Sequence, residues 1–136
     1  GDRWHDGFNL DCHVLHPDAV SIHGTDNDKS LVLRVTLAGR KLLLTGDVEG
    51  HVSRALADEA GHCDWLLAPH HGGEQSEAER WMKRTQPRWF CVSSKQSKPM
   101  AELQKGRVQC WNTAEHGAIS FHFRGKQAIV TTWLKP

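Results

Sequence analysis

The stretch Phe8 to Leu15, FNLDCHVL, alternates apolar and polar residues, the pattern of a strand with one face buried. The dipeptide His16-Pro17 and Asp18 end it, and the turn-rich loop IHGTDNDKS follows. Ser30 to Asp47 reads as two strands joined by a tight turn at Ala38 to Arg40. The first strand alternates around Arg34 and Thr36, whereas Lys41 to Leu44 is nearly all leucine, as expected of a strand covered on both faces. Val48, Val52, Ala55 and Leu56 recur at helical spacing, which predicts a helix over 48–60 capped by Asp47 and stopped by Gly61. CDWLLAP is the next strand. Ser76 followed by Glu79 is a capping-box pattern for a second helix that ends before Pro87. RWFCVSS, RVQCW, AISFHF and AIVTTWL read as further strands, the last two joined by a hairpin turn at Arg124 to Lys126. This order of strands and helices implies a layered α/β fold in one domain-sized piece.

Composition narrows the function classes. Of 136 residues, 38% are hydrophobic, and 17 basic side chains stand against 16 acidic ones. A near-neutral chain argues against a strongly basic nucleic-acid wrapper and leaves room for a local site that meets DNA. No apolar run reaches membrane-spanning length, and no signal peptide is visible. The chain starts at Gly1 and its methionines are Met82 and Met100, so it reads as cut from something longer. Cys12, Cys63, Cys91 and Cys110 form no C-x-x-C pair, which disfavours a zinc knuckle and predicts buried free thiols.

Two strand ends carry the candidate chemistry. LLLTGD closes one buried strand at Asp47, and WLLAPHHGG closes another at His70 and His71, 23 and 24 positions later. In open α/β sheets ligands gather beyond the carboxyl ends of strands. If the two strands are parallel neighbours, Asp47 and the histidine pair face one pocket. Carboxylate and imidazole are standard ligands of zinc or manganese. The alternative is two ordinary turns, one with an N-cap aspartate.

The ordered set NDKSLVLRVTLAGRKLLLTGD, HCDWLLAPHHGG, TQPRWFCVSS and NTAEHGAISFHF resembles the metallo-β-lactamase-fold domain at the C-terminus of ComEC-family DNA-uptake competence proteins. Asn27, Asp28 and Ser30 match its ND-x-S, Thr45 to Asp47 its TGD, His70 to Gly72 its HHG, and Thr113 with Gly117 to Ile119 its closing threonine and GAI. The resemblance covers most of the chain. It implies an αββα sandwich, of which residues 1–136 would be the C-terminal portion, and a metal-dependent nuclease acting on the DNA strand that is not transported. On that reading Asp47 bridges the ions and His70 or His71 is a ligand, with Zn or Mn as cofactor. Asn27 and Lys98 are then the substrate-side candidates. The implied partners are single-stranded DNA, the N-terminal half of the domain, a membrane channel domain of the same polypeptide, and a second copy docked on the exposed sheet face. The implied location is extracytoplasmic, in an inner-membrane parent.

The departures are specific. The family's upstream H-x-[HD]-x-D-H signature is absent, Gly73 replaces the serine after HHG, and Lys98 stands where the histidine of a later GHP is expected. A lysine contacts phosphate readily but is a poor metal ligand at its ordinary pKa. A second reading therefore stands beside the nuclease: a degenerate module with a structural or DNA-binding role. His13 and His122 alternate with apolar residues and are expected to face solvent or a partner half-domain. His116 is expected on the surface. Arg80, Lys83, Arg84 and Arg88 form a positive cluster that either touches phosphates or complements a helix end. The tryptophans are expected to pack in the core rather than stack on bases.

Overall fold

In the computed structural model, which describes residues 1–5, 7, 9–18, 24–96, 108–124 and 127–134, alternating sequence becomes a seven-stranded mixed sheet. Its strands are β1 (Arg3–His5), β2 (Leu10–His16), β3 (Val32–Leu37), β4 (Arg40–Leu44), β5 (Trp65–Leu67), β6 (Trp89–Val92) and β7 (Gln109–Asn112), in that spatial order. β1 to β4 are antiparallel neighbours, and β4 to β7 run parallel. Helices α1 (Gly50–Glu59) and α2 (Ala78–Thr85) make the crossovers from β4 to β5 and from β5 to β6, as parallel pairing requires. After the short helix α3 (Thr113–His116), β8 (Ile119–Arg124) and β9 (Gln127–Thr132) form a separate two-stranded sheet. The fold is thus mixed α/β with two sheets. The predicted turn residues Gly125 and Lys126 lie outside the described residues, as does Lys98.

Strand register sorts the two faces of the large sheet. Leu43, Leu66 and Phe90 align across β4, β5 and β6 and are fully buried beneath the helices with Trp81. A buried polar link joins those helices: the Ser53 hydroxyl donates to Ser76 O at 2.7 Å and accepts from Trp81 Nε1 at 2.8 Å. The opposite face carries the row Cys12, Val35, Leu42, Trp65 and Trp89. There Phe121 of β8 meets Trp65 edge-on at 5.9 Å, and Phe123 meets Trp89 at 5.6 Å. Over β3 and β4 that face is half-buried at Leu33, Val35, Leu42 and Leu44 and exposed at Leu37. The all-leucine strand is therefore fully covered on the helix side alone.

Several sequence expectations are corrected. β1 is three residues long and exposed, too short and polar to show periodicity. Asp47 does not cap α1: the cap position is Glu49, and its side chain makes no capping bond. The capping box does not form either, because Glu77 adopts a left-handed conformation and α2 starts at Ala78, where Ser76 Oγ accepts from the Ala78 N–H at 3.3 Å. His13, expected to face solvent or a partner half-domain, lies half-buried beside Arg34 with its Nδ1 buried. Removal from water, then the charge of Arg3, pushes its ring below the usual histidine range. His122 is exposed as expected, whereas His116 packs against Trp111 at 5.0 Å and donates from Nδ1 to Asn112 O. All four cysteines are free thiols, and burial pushes Cys63 up to about 11 and Cys91 up to about 12.

Candidate functional site

β4 and β5 are parallel neighbours, so the segments after Leu44 and Leu67 emerge side by side. Two bonds stitch them together. Thr45, fully buried, donates from Oγ1 to Leu67 O at 2.8 Å, and the His70 N–H donates to Gly46 O at 3.1 Å. Gly46 turns the chain with φ of 56°, and a Cβ there would stand 3.0 Å from Leu31 O. Only glycine meets both demands without strain. That turn lifts Asp47 to the mouth of the sheet while the next residue, Val48, anchors in the core.

The histidine turn is built differently. The glycine pair Gly72-Gly73 suggests where backbone freedom is needed, yet His70 and His71 themselves take left-handed conformations, at φ of 43° and 53°. Each such residue costs about 1–2 kcal/mol relative to a right-handed one. Two strained residues in succession at a strand end are the kind of feature that a folded scaffold maintains at functional positions.

The strain sets out two carboxylate–imidazole pairs. His71 Nε2 lies 3.5 Å from Asp47 Oδ1, with both side chains about half exposed (59% and 48%). His70 Nδ1 lies 2.7 Å from Glu49 Oε2, more shielded at 35% and 19%. The second contact is close without the alignment of a hydrogen bond, leaving a buried ring nitrogen unsatisfied. Asn27 backs this pair, donating from Nδ2 to Glu49 Oε1 at 3.0 Å. Asn27, expected on the substrate side, thus holds the Glu49 carboxylate. Asp28 caps its turn: its carboxylate accepts from the Thr25 N–H at 2.9 Å, the main reason its pKa falls below the usual range.

The tautomer of His71 follows from its other nitrogen. Nδ1 is 2.7 Å from the carbonyl of Ser93, so it carries the proton and donates. Nε2 is then the nitrogen turned toward the Asp47 carboxylate. Two acceptors side by side are stabilised by a proton or a cation between them. These two donors fit one side of a divalent ion. Among the described residues no group of three or more His, Cys, Asp or Glu is arranged to hold one. The described residues bring Asp47 and His71 together as two such donors.

The other candidates resolve into ordinary roles. Arg80 and Arg84 both pair with Asp58, at 2.5 and 2.7 Å, so two members of the positive cluster are neutralised. Arg88 lies 4.7 Å over the Trp89 ring. Trp81 and Trp89 are buried, as expected of core residues, while Trp133 is exposed. Glu49 was missed because its position reads as the first turn of a helix. The available signal was a second carboxylate two residues beyond Asp47, in TGDVEG.

No protein-family model matches the chain. It is similar to ComE operon protein 3 of Bacillus subtilis, 26% identical over 128 residues that cover 87% of this chain and 16% of that protein. It is also similar to competence protein ComA of Neisseria gonorrhoeae, 33% identical over 72 residues, 51% of this chain and 10% of that protein. The chain thus spans about one-sixth or less of the relatives it matches. Its similarity, partial in extent, is to bacterial competence proteins.

Proposed function

We propose that this chain is a portion of a metallo-β-lactamase-like phosphodiesterase domain in a DNA-uptake protein, with Asp47 and His71 as its working pair. The observation that carries the reading is the His71 ring held by a strained backbone and by the Ser93 carbonyl so that its Nε2 faces Asp47 Oδ1 at 3.5 Å. A divalent ion, Zn or Mn, would supply Lewis acidity and an activated water when bound. The protein's own part is to hold the two donors at one mouth and to fix the His71 tautomer. Glu49 and Asn27 keep His70 in place beside them. The remaining ligands would come from another portion of the domain. The half-buried apolar face of β3 and β4 supports such a partner, as does the small share of the competence proteins that this chain spans. A second copy on that face is the competing occupant. No described helix is long and apolar enough to cross a membrane; the channel domain and an extracytoplasmic position belong to the same proposal.

One observation favours a second reading, a degenerate module that binds DNA without cutting it: two donors rather than three or more converge among the described residues. Metal content and single-stranded DNA cleavage in the intact protein separate the two. The nuclease reading expects bound zinc or manganese and cleavage that both fall on Asp47→Ala. DNA binding with no metal and no cleavage supports the module.

A further inference from the structure

Beside the Asp47–His71 mouth lies a cleft of about 470 Å³ lined by His71, Ser93, Ser94, Lys95, Gln96 and Thr113. The loop that forms it is pinned at both ends. The Thr113 hydroxyl accepts from the Ser94 N–H at 2.9 Å and donates to Ser94 O at 3.0 Å. Asn112 donates from Nδ2 to Gln96 O at 3.3 Å, and the Gln96 N–H reaches Ser94 Oγ at 3.1 Å. Among the described residues, no Asp or Glu lines the cleft. Lys95 is exposed and has no acidic partner among the described residues. A rigid polar loop with one uncompensated cation and serine hydroxyls, beside an imidazole, suits a singly charged anion with several oxygens.

We infer that this cleft is a subsite for a phosphodiester group of a single-stranded nucleic acid, with Lys95 as its charge contact. Among the described residues the lining contains no aromatic side chain except the His71 ring, and these residues offer no platform for a base. Recognition is therefore of the backbone and independent of base identity. The position next to His71 sets the neighbouring phosphodiester at the working pair. This assignment rests on the proposed function for its substrate, but binding is separable from turnover.

The test is fluorescence anisotropy of labelled oligothymidylate and oligodeoxyadenylate on the intact protein, with chelator present so that no cleavage occurs. Lys95→Glu is expected to weaken both oligonucleotides about tenfold or more, and Lys95→Gln less. The slope of log affinity against log salt should fall by about 0.7, the value for one lost phosphate contact on a single strand. Lys83→Glu, the same charge change on α2, should alter affinity less than about twofold. Equal losses from Lys95→Glu and Lys83→Glu would reduce the effect to overall charge and overturn the assignment. Failure of the wild-type protein to bind, or a strong preference for one base, would also overturn it. If binding behaves as expected while no metal-dependent cleavage is found, the subsite stands and the nuclease reading falls.

Discussion

The two carboxylate–imidazole pairs differ in ways that assign them different work. Glu49–His70 is the tighter and more shielded, with Asn27 closing it from behind. Asp47–His71 is looser and open to solvent, and it borders the cleft of Lys95. A pair whose carboxylate already has a protein donor on its far oxygen acts as support. On the proposed reading, the pair whose mouth is open is the one that meets a ligand. That reading splits two adjacent left-handed residues between scaffold and chemistry.

The sharpest way to break this comparison is to remove one member of each pair. Asp47→Ala and His71→Ala are each expected to weaken zinc or manganese binding by more than about 100-fold, and Glu49→Gln by about 10–100-fold, as for an outer partner that orients its neighbour. Isothermal titration reads both. A larger loss for Glu49→Gln would reverse the assignment.

The turns under the two pairs differ as well. Gly46→Ala is expected to lose about 1–3 kcal/mol in urea unfolding, since a Cβ there adds backbone strain and meets Leu31 O. Gly72→Ala keeps only the strain of its φ of 68°, because its Cβ would sit in ordinary contact with Val92. It should therefore cost less. The link between the helices behind the site gives a similar magnitude: Ser53→Ala strands Trp81 Nε1 and Ser76 O at about 1–3 kcal/mol.

A third carboxylate supplies the smallest effect. Hydrogen bonding from Arg80, ahead of the charges of Arg80 and Arg84, holds Asp58 below the usual carboxylate range. A depressed folded-state value stabilises the protein above the unfolded value, and that contribution is lost as pH falls through the folded value. Asp58→Asn should lower the urea midpoint slightly at neutral pH and leave it unchanged in strong acid. The pair is at the surface, where such contacts contribute little.

Much of the sheet was legible because period-two alternation and leucine runs report burial directly, as in β2, β3 and β4. The meeting of Asp47 with the histidine turn was legible from matched strand ends. What was not legible depends on backbone conformations that favour glycine but fall elsewhere. His70, His71 and Glu77 all take positive φ, which no local pattern announces. The role of Glu49 was hidden because a carboxylate in the first turn of a helix already has an ordinary explanation. The Ser93–Gln96 cleft depends on β7 lying beside β6 and on Thr113 reaching across, contacts remote in sequence.

The most direct test of the central claim is an imidazole nitrogen NMR titration of the protein with zinc, resolving the rings of His70 and His71. The account predicts that Nε2 of His71 shifts on zinc addition, that Asp47→Ala abolishes the shift, and that the Nδ1 proton of His71 persists against Ser93. A shift centred on His70 with His71 unmoved would contradict it.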